Sequence, residues 1–152
     1  MRVLHADYHL KLQIVLVLKG LIMRVNRSIG YALLAIGYLA QHKDEEFVLS
    51  QKIARAYYIP LEFLLKIMKQ LVKANILSSK RGPHGGFCLA RPLAEITMLE
   101  VIEAIEGPMT VSLGLGEQAP KDRFGAKADQ VYSKVTTQAR DLFKKVKLSD
   151  LI

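Results

Sequence analysis

The side chains with the most chemistry to offer in this chain are cations. Lys66, Lys69 and Lys73 recur at steps of three and four, and Lys80, Arg81 and His84 follow around a Gly/Pro turn, Gly82-Pro83-His84-Gly85-Gly86. Steps of three and four place side chains on one face of a helix. A row of ammonium groups breaks no bond; it neutralises phosphates and releases their counterions. Arg81, at the tip of the turn, is suited to the negative potential of a minor groove. A glycine-rich tip can also come close to another molecule, because glycine has no side chain and accepts positive φ. The alternative is a plain hairpin turn beside a solvated helix face, with His84 as a solvated loop residue.

Bond-making chemistry has little support. No Ser/His/Asp set, phosphate loop, metal-spaced histidine cluster or paired-carboxylate motif stands out, and the chain is not expected to be an enzyme. Glu100, Glu103 and Glu106 share a helix face, which reads as solvated. Cys88 is the one cysteine, so an internal disulfide and a cysteine metal cage are both excluded. A lone thiol suits a reducing cytoplasm. Cys88 is a candidate redox thiol beside the basic turn, but reactivity needs a lowered pKa and exposure. Otherwise it is a small apolar strand residue.

Charge is segregated along the chain. Positions 50–91 hold eight basic residues (Lys52, Arg55, Lys66, Lys69, Lys73, Lys80, Arg81 and Arg91) against Glu62 alone, whereas positions 92–120 hold five glutamates and no cation. The whole chain carries a formal +8, which points to a polyanionic partner, nucleic acid (double-stranded DNA is the partner expected) or an anionic membrane surface. Its 152 residues are 51% hydrophobic, the size of one domain, or one domain with an oligomerisation arm, and enough for a core. No membrane span is expected, since the apolar run 10–22 carries Lys11, Gln13 and Lys19 and is too short to cross a bilayer.

The elements that would position these cations can be read from periodicity. Apolar residues at Ile29, Leu33, Ile36 and Leu39 predict a buried helix over 28–41. Ser50 is a good N-cap for a short helix over 51–57. Pro60 suits the first turn of the next helix, 61–74, whose buried face is Leu61, Leu64, Leu65, Met68, Leu71 and Val72 and whose outer face is lysine. Asn75 is a left-handed C-cap. Strand-like runs at 76–80 and 87–91 flank the Gly/Pro turn. Thr97 and Glu100 form a capping box for a helix that Gly107-Pro108 stops. A loop follows over 107–122, then a long helix over 124–146 with an apolar seam through Phe124, Ala128, Val131, Val135, Ala139, Leu142 and Val146. Such a seam on an otherwise polar helix packs on a partner helix.

Two short helices, a tight turn and a basic second helix make a helix-turn-helix, and the hairpin makes its wing. The segments Tyr31-Ala32-Leu33, Ser50 with Ile53-Ala54, Ile59-Pro60-Leu61-Glu62-Phe63-Leu64, the wing from Ser79 to Leu89, and Ile96-Thr97 with Glu100-Val101-Ile102-Glu103-Ala104 resemble the IscR-like family of bacterial winged-helix transcription regulators. The resemblance runs from Met23 to the C-terminus. It implies a homodimer whose long helices form the seam and whose two winged helices read a palindromic operator, with Arg81 as the wing arginine. Cluster-binding members carry three cysteines in the loop before the long helix. Here 107–122 has none, so no iron–sulfur cluster and no other cofactor is expected. Leu65 and Lys66 stand where cluster regulators often carry Glu and Gln.

The expected fold class is therefore mainly α with a small β-hairpin wing: a winged helix-turn-helix over 23–106, a loop over 107–122, and a dimerisation helix and tail over 123–152. Residues 1–22 read as a leader upstream of a natural start at Met23, or as an ordinary N-terminal element. The expected function is a cytoplasmic, dimeric, sequence-specific regulator, a repressor. Lys66, Lys69, Lys73 and Lys80 are assigned to phosphates, Leu61, Glu62 and Phe63 to base edges, and Ser50, Gln51, Arg81 and His84 to the same interface. The seam residues are Val131, Val135, Ala139, Leu142 and Val146. Regulators gated by a partner protein or a small molecule, with 107–122 as a pocket rim, and a non-specific nucleic-acid binder remain the alternatives.

Overall fold

Apolar side chains three and four apart build the first layer of the computed structural model, which describes residues 27–152. The expectations about residues 1–22 and a start at Met23 lie outside the described residues. Helix α1, Arg27–Gln41, buries Ile29, Ala32, Ala35, Ile36, Leu39 and Ala40. Helix α2, Ser50–Tyr57, buries Ile53 and Ala54, and helix α3, Leu61–Lys73, buries Leu64, Ile67, Met68 and Leu71. Ile67 was not assigned to the core by its sequence, yet it completes the stripe at 64, 67, 68 and 71; Leu65 is only half-buried.

Three helix ends are set by local chemistry. Tyr58 takes a left-handed conformation (φ 54°) after α2, and the Ile59 amide turns back to the Ala54 carbonyl. Pro60 is the N-cap of α3, one position before its expected place in the first turn. At the other end Asn75 is left-handed (φ 56°), as its type predicts; its amide donates to Val72 O and that of Ile76 to Leu71 O, a Schellman closure. Ser50 departs from expectation. It lies inside α2 and is buried, and Leu49 is the N-cap, with no side-chain cap. The entry to α2 is set instead by Val48, whose amide and carbonyl both bond to Phe87 at 2.9 Å.

Strands β1, Leu77–Lys80, and β2, Gly86–Leu89, form an antiparallel hairpin in the register Leu77 to Leu89 and Lys80 to Gly86. An isolated antiparallel bridge pairs Val48, ahead of α2, with Phe87 of β2. Helix α4, Met98–Glu106, follows a short 3₁₀ turn at Leu93–Glu95; Thr97 and Glu100 make the expected capping box, and Gly107 ends the helix. Between 107 and 122 the chain forms one short helix, α5, Leu115–Gln118. Helix α6, Arg123–Lys145, is capped by Asp122, whose carboxylate accepts from the amides of Phe124 and Gly125. After α6 the chain pairs Lys147 with Thr97 and ends in a 3₁₀ turn, Leu148–Leu151, with Leu148 in the core. The core thus lies between α1, α3, α4 and the base of the hairpin.

Candidate nucleic-acid interface

The closure at Asn75 turns the chain from α3 into β1 and brings Lys69 of α3 beside Lys80 and Arg81 of the wing. Lys66, Lys69 and Lys73 are exposed, opposite the stripe that α3 buries. Lys69 and Val72 line a cleft of about 530 Å³ with Leu49, Ser50 and Gln51 at the start of α2 and Ser79, Lys80, Arg81, Gly82 and Gly85–Phe87 of the hairpin. Five of the expected interface residues (Ser50, Gln51, Lys69, Lys80 and Arg81) therefore share one wall-to-wall site. Leu49 and Ser79 join them, though neither residue type carried a signal in the sequence.

Other expected residues are placed differently. Leu61 is half-buried against the core and is withdrawn from the helix surface. Phe63 makes a T-shaped contact with Tyr31, ring centroids 5.8 Å apart, and stays exposed in the first turn of α3. Glu62 is left as the exposed polar side chain of the first turn of α3. His84 and Arg81 are exposed on the wing. Lys80 has partners of its own: its ammonium lies 3.9 Å from Glu46 Oε1 and 5.3 Å from the centre of the Phe47 ring. Lys52 likewise donates to Glu45 at 2.7 Å, a bond that raises its pKa even against burial. Arg91, counted among the basic residues of the strip 50–91, does not join this surface. It turns inward to Asn75, Glu95 and Glu100.

The wing glycines answer to the chain's own backbone. A Cβ on Gly85 would lie 2.3 Å from Lys80 O, and one on Gly86 2.4 Å from Val48 O, whereas Gly82 (φ 107°) faces open space. Of the glycines expected to let the tip approach another molecule, only Gly82 is free to do so; Gly85 lets the hairpin tip fold back on itself, and Gly86 lets β2 pass close to Val48. Cys88 is half-buried on β2, beside the α1–α2 turn. Burial pushes its thiol up, and the charge of Glu46 adds to this, the reverse of what a reactive thiolate needs.

The glutamate face of α4 is not simply solvated. Glu100 pairs with Arg91, and Glu103 forms an ion pair with Arg140 on α6 at 3.2 Å and accepts from the Met109 amide. The loop 107–122 is held to α6: Asp129 accepts from the Leu113 amide at 2.7 Å and from Ser112, and Ser133 donates to Val111 O. Along the expected seam, Val131 and Leu142 are 55% and 63% exposed and Val135 and Ala139 half-covered. Val146 has left the helix, and its carbonyl accepts from the Met98 amide.

Residues 25–152 match the Rrf2 family, described as an iron-dependent transcriptional regulator. The chain belongs to the Rrf2 family. This regulator is 33% identical over 128 residues to a candidate HTH-type transcriptional regulator from Aquifex aeolicus, covering 82% of this chain and 88% of that one. It is 26% identical over 135 residues to the HTH-type transcriptional regulator IscR of Cereibacter sphaeroides, covering 86% and 87%. Among solved structures it resembles T. potens IscR (TM-score 0.65, 26% identity, 88% and 87% covered). It also shares the fold of CymR, the global cysteine regulator of B. subtilis (TM-score 0.69, 22% identity, 86% and 96% covered). The family is one of transcriptional regulators, not enzymes, and its winged helix binds DNA.

A thiolate-held iron–sulfur cluster does not fit the residues of this member. Thiolates hold iron–sulfur clusters, and this sequence has one cysteine, in the wing, with a raised pKa. The loop 107–122 has neither Cys nor His, and among the described residues no three His, Cys, Asp or Glu side chains converge. Among the same residues no helix is long and apolar enough to cross a membrane.

Proposed function

We propose that this Rrf2-family regulator binds a palindromic operator as a homodimer and represses transcription there, in the cytoplasm and without an iron–sulfur cluster. The observation that carries the reading is the cleft that gathers Ser50, Gln51, Lys69, Lys80 and Arg81 between the start of α2, the face of α3 and the wing. Lys66, Lys69 and Lys73 neutralise phosphates and set register and affinity, not sequence. Glu62, in the first turn of α3, accepts from a base edge such as a cytosine amino group. Arg81 enters the minor groove beside His84. Lys80 exchanges Glu46 for a phosphate, which makes its contribution smaller than that of an unpaired lysine. The exposed Val131 and Leu142 support a seam between two copies of α6. Repression then needs only that the dimer occupy its operator, with an effector, protein or small molecule, acting on the loop 107–122 or on α6.

Selection of genomic fragments by the purified full-length protein at physiological salt tests this. One palindrome, with half-sites about one helical turn or a multiple apart, is the expected result. Uniform recovery of all fragments, weakening only as salt rises, would leave a non-specific polyanion binder. A palindrome recovered only when a cell extract is added would favour gating by a partner. On the selected operator, Lys69→Ala lowers the slope of log affinity against log salt by about 1.

A further inference from the structure

Arg91 stands at a junction that phosphate and base contacts leave unused. Its guanidinium reaches three elements at once: Nε donates to Asn75 O at 3.1 Å, Nη1 to Glu95 O at 2.9 Å, and Nη2 to Glu100 Oε1. Asn75 is the left-handed residue that closes α3. Glu100 lies in the first turn of α4, and its second oxygen accepts from the amide and hydroxyl of Thr97 at 2.7 and 2.9 Å. Thr97 lies opposite Lys147, and the rungs on either side are Met98 N–H to Val146 O and Leu148 N–H to Ile96 O, both 2.9 Å. Leu148 is buried in the core, and an ion pair from Arg140 to Glu103 also holds α6 to α4. A continuous series of hydrogen bonds thus joins the end of α6 to the end of α3.

We propose that Arg91 is a positioning residue for operator recognition: it ties the recognition helix to the end of the long helix, so that the seam between two α6 helices sets the distance between the two reading heads. This rests on the dimeric, DNA-binding reading above. Three acceptors in three directions suit a guanidinium, whose donors form a rigid planar fork; a lysine ammonium is a compact charge on a flexible stem and cannot hold all three. Rigidity matters because the second half-site adds affinity only when the geometry lets both heads engage together. A role confined to stability predicts something else: weaker folding and weaker half-site binding, with the choice of spacing unchanged.

The test compares full-length wild type, Arg91→Lys and Glu100→Gln on three duplexes: a single half-site, the selected palindrome, and that palindrome with one base pair added at its centre. Wild type is expected to prefer the selected spacing. Arg91→Lys is expected to keep its half-site affinity and to lose about five-fold or more of the spacing preference, the lower end of usual coupling between sites. Glu100→Gln, of the same shape but uncharged, is expected to lose part of it. An unchanged spacing preference in both variants overturns the proposal. Thermal unfolding identifies a variant that has not folded, and the other then decides. A wild type that prefers no sequence removes the DNA reading itself; one that selects the palindrome but tolerates the added base pair removes only the role of Arg91.

Discussion

A methyl group placed on Gly86 would meet the Val48 carbonyl oxygen at 2.4 Å, with the backbone at φ 148°. Gly82, at φ 107°, would receive the same methyl in open space. Gly86→Ala is therefore expected to cost more than the roughly 1–3 kcal/mol of backbone strain that Gly82→Ala carries. Thermal unfolding of the two variants side by side checks it; equal losses would mean that Val48 yields freely. The glycines were legible as a turn from their types alone. That Gly86 is crowded by backbone distant in sequence was not, because nothing local reports where Val48 lies. Cys88 gives a second expectation at this scale. With its thiol pushed up by burial and by Glu46, Cys88→Ser is expected to bind DNA as wild type does, and peroxide to leave wild-type binding unchanged. A peroxide-sensitive wild type beside an insensitive variant would restore the redox thiol.

Among the elements, α4 and its capping box respond to pH. Burial opposes ionisation of Glu100, but the bonds from Arg91 and Thr97 and the charge of Arg91 outweigh it, so its pKa lies below the ordinary 4.5. A carboxylate with a lowered folded-state pKa stabilises the fold above its unfolded value, and that stability is lost as pH falls through the folded one. The midpoint of unfolding is thus expected to fall as the pH drops below 4.5, and Glu100→Gln to flatten that part of the profile; parallel wild-type and variant profiles would remove Glu100 as the source. The Thr97–Glu100 box, the Asn75 closure and the span of α6 were readable because each rests on neighbours a few residues apart. The misplaced N-cap at Ser50 and the missed Ile67 share a cause. Strand pairing of Val48 with Phe87 decides where the chain enters α2, and the packing of α3 against α1 and α4 decides how wide its buried stripe is.

For the whole molecule, the decisive surface is the outer face of α6. Val131 and Leu142 stay more than half exposed in a single chain, and burying such side chains contributes about 1.5–3 kcal/mol each. Val131→Glu with Leu142→Glu is expected to turn a dimer into a monomer by sedimentation, while leaving affinity for one half-site intact and removing the gain from the second. Wild-type protein that sediments as a monomer would sink the seam, and with it the palindrome.

Periodicity, capping signals and the segregation of charge were enough to place a basic winged helix ahead of a long helix, since each depends on residue types repeating over a few positions. They also marked Lys66, Lys69, Lys73 and Arg81 as the face toward a polyanion. Folding settled which cations are free and which are spoken for. Arg91 turns inward to three acceptors and Lys80 rests on Glu46 and Phe47. Glu103 reaches Arg140, and the tail past α6 returns to Thr97. All but one of these contacts, Arg91 with Glu95, join residues farther apart than a single helical turn, and a local pattern carries no information about which distant group will arrive beside it.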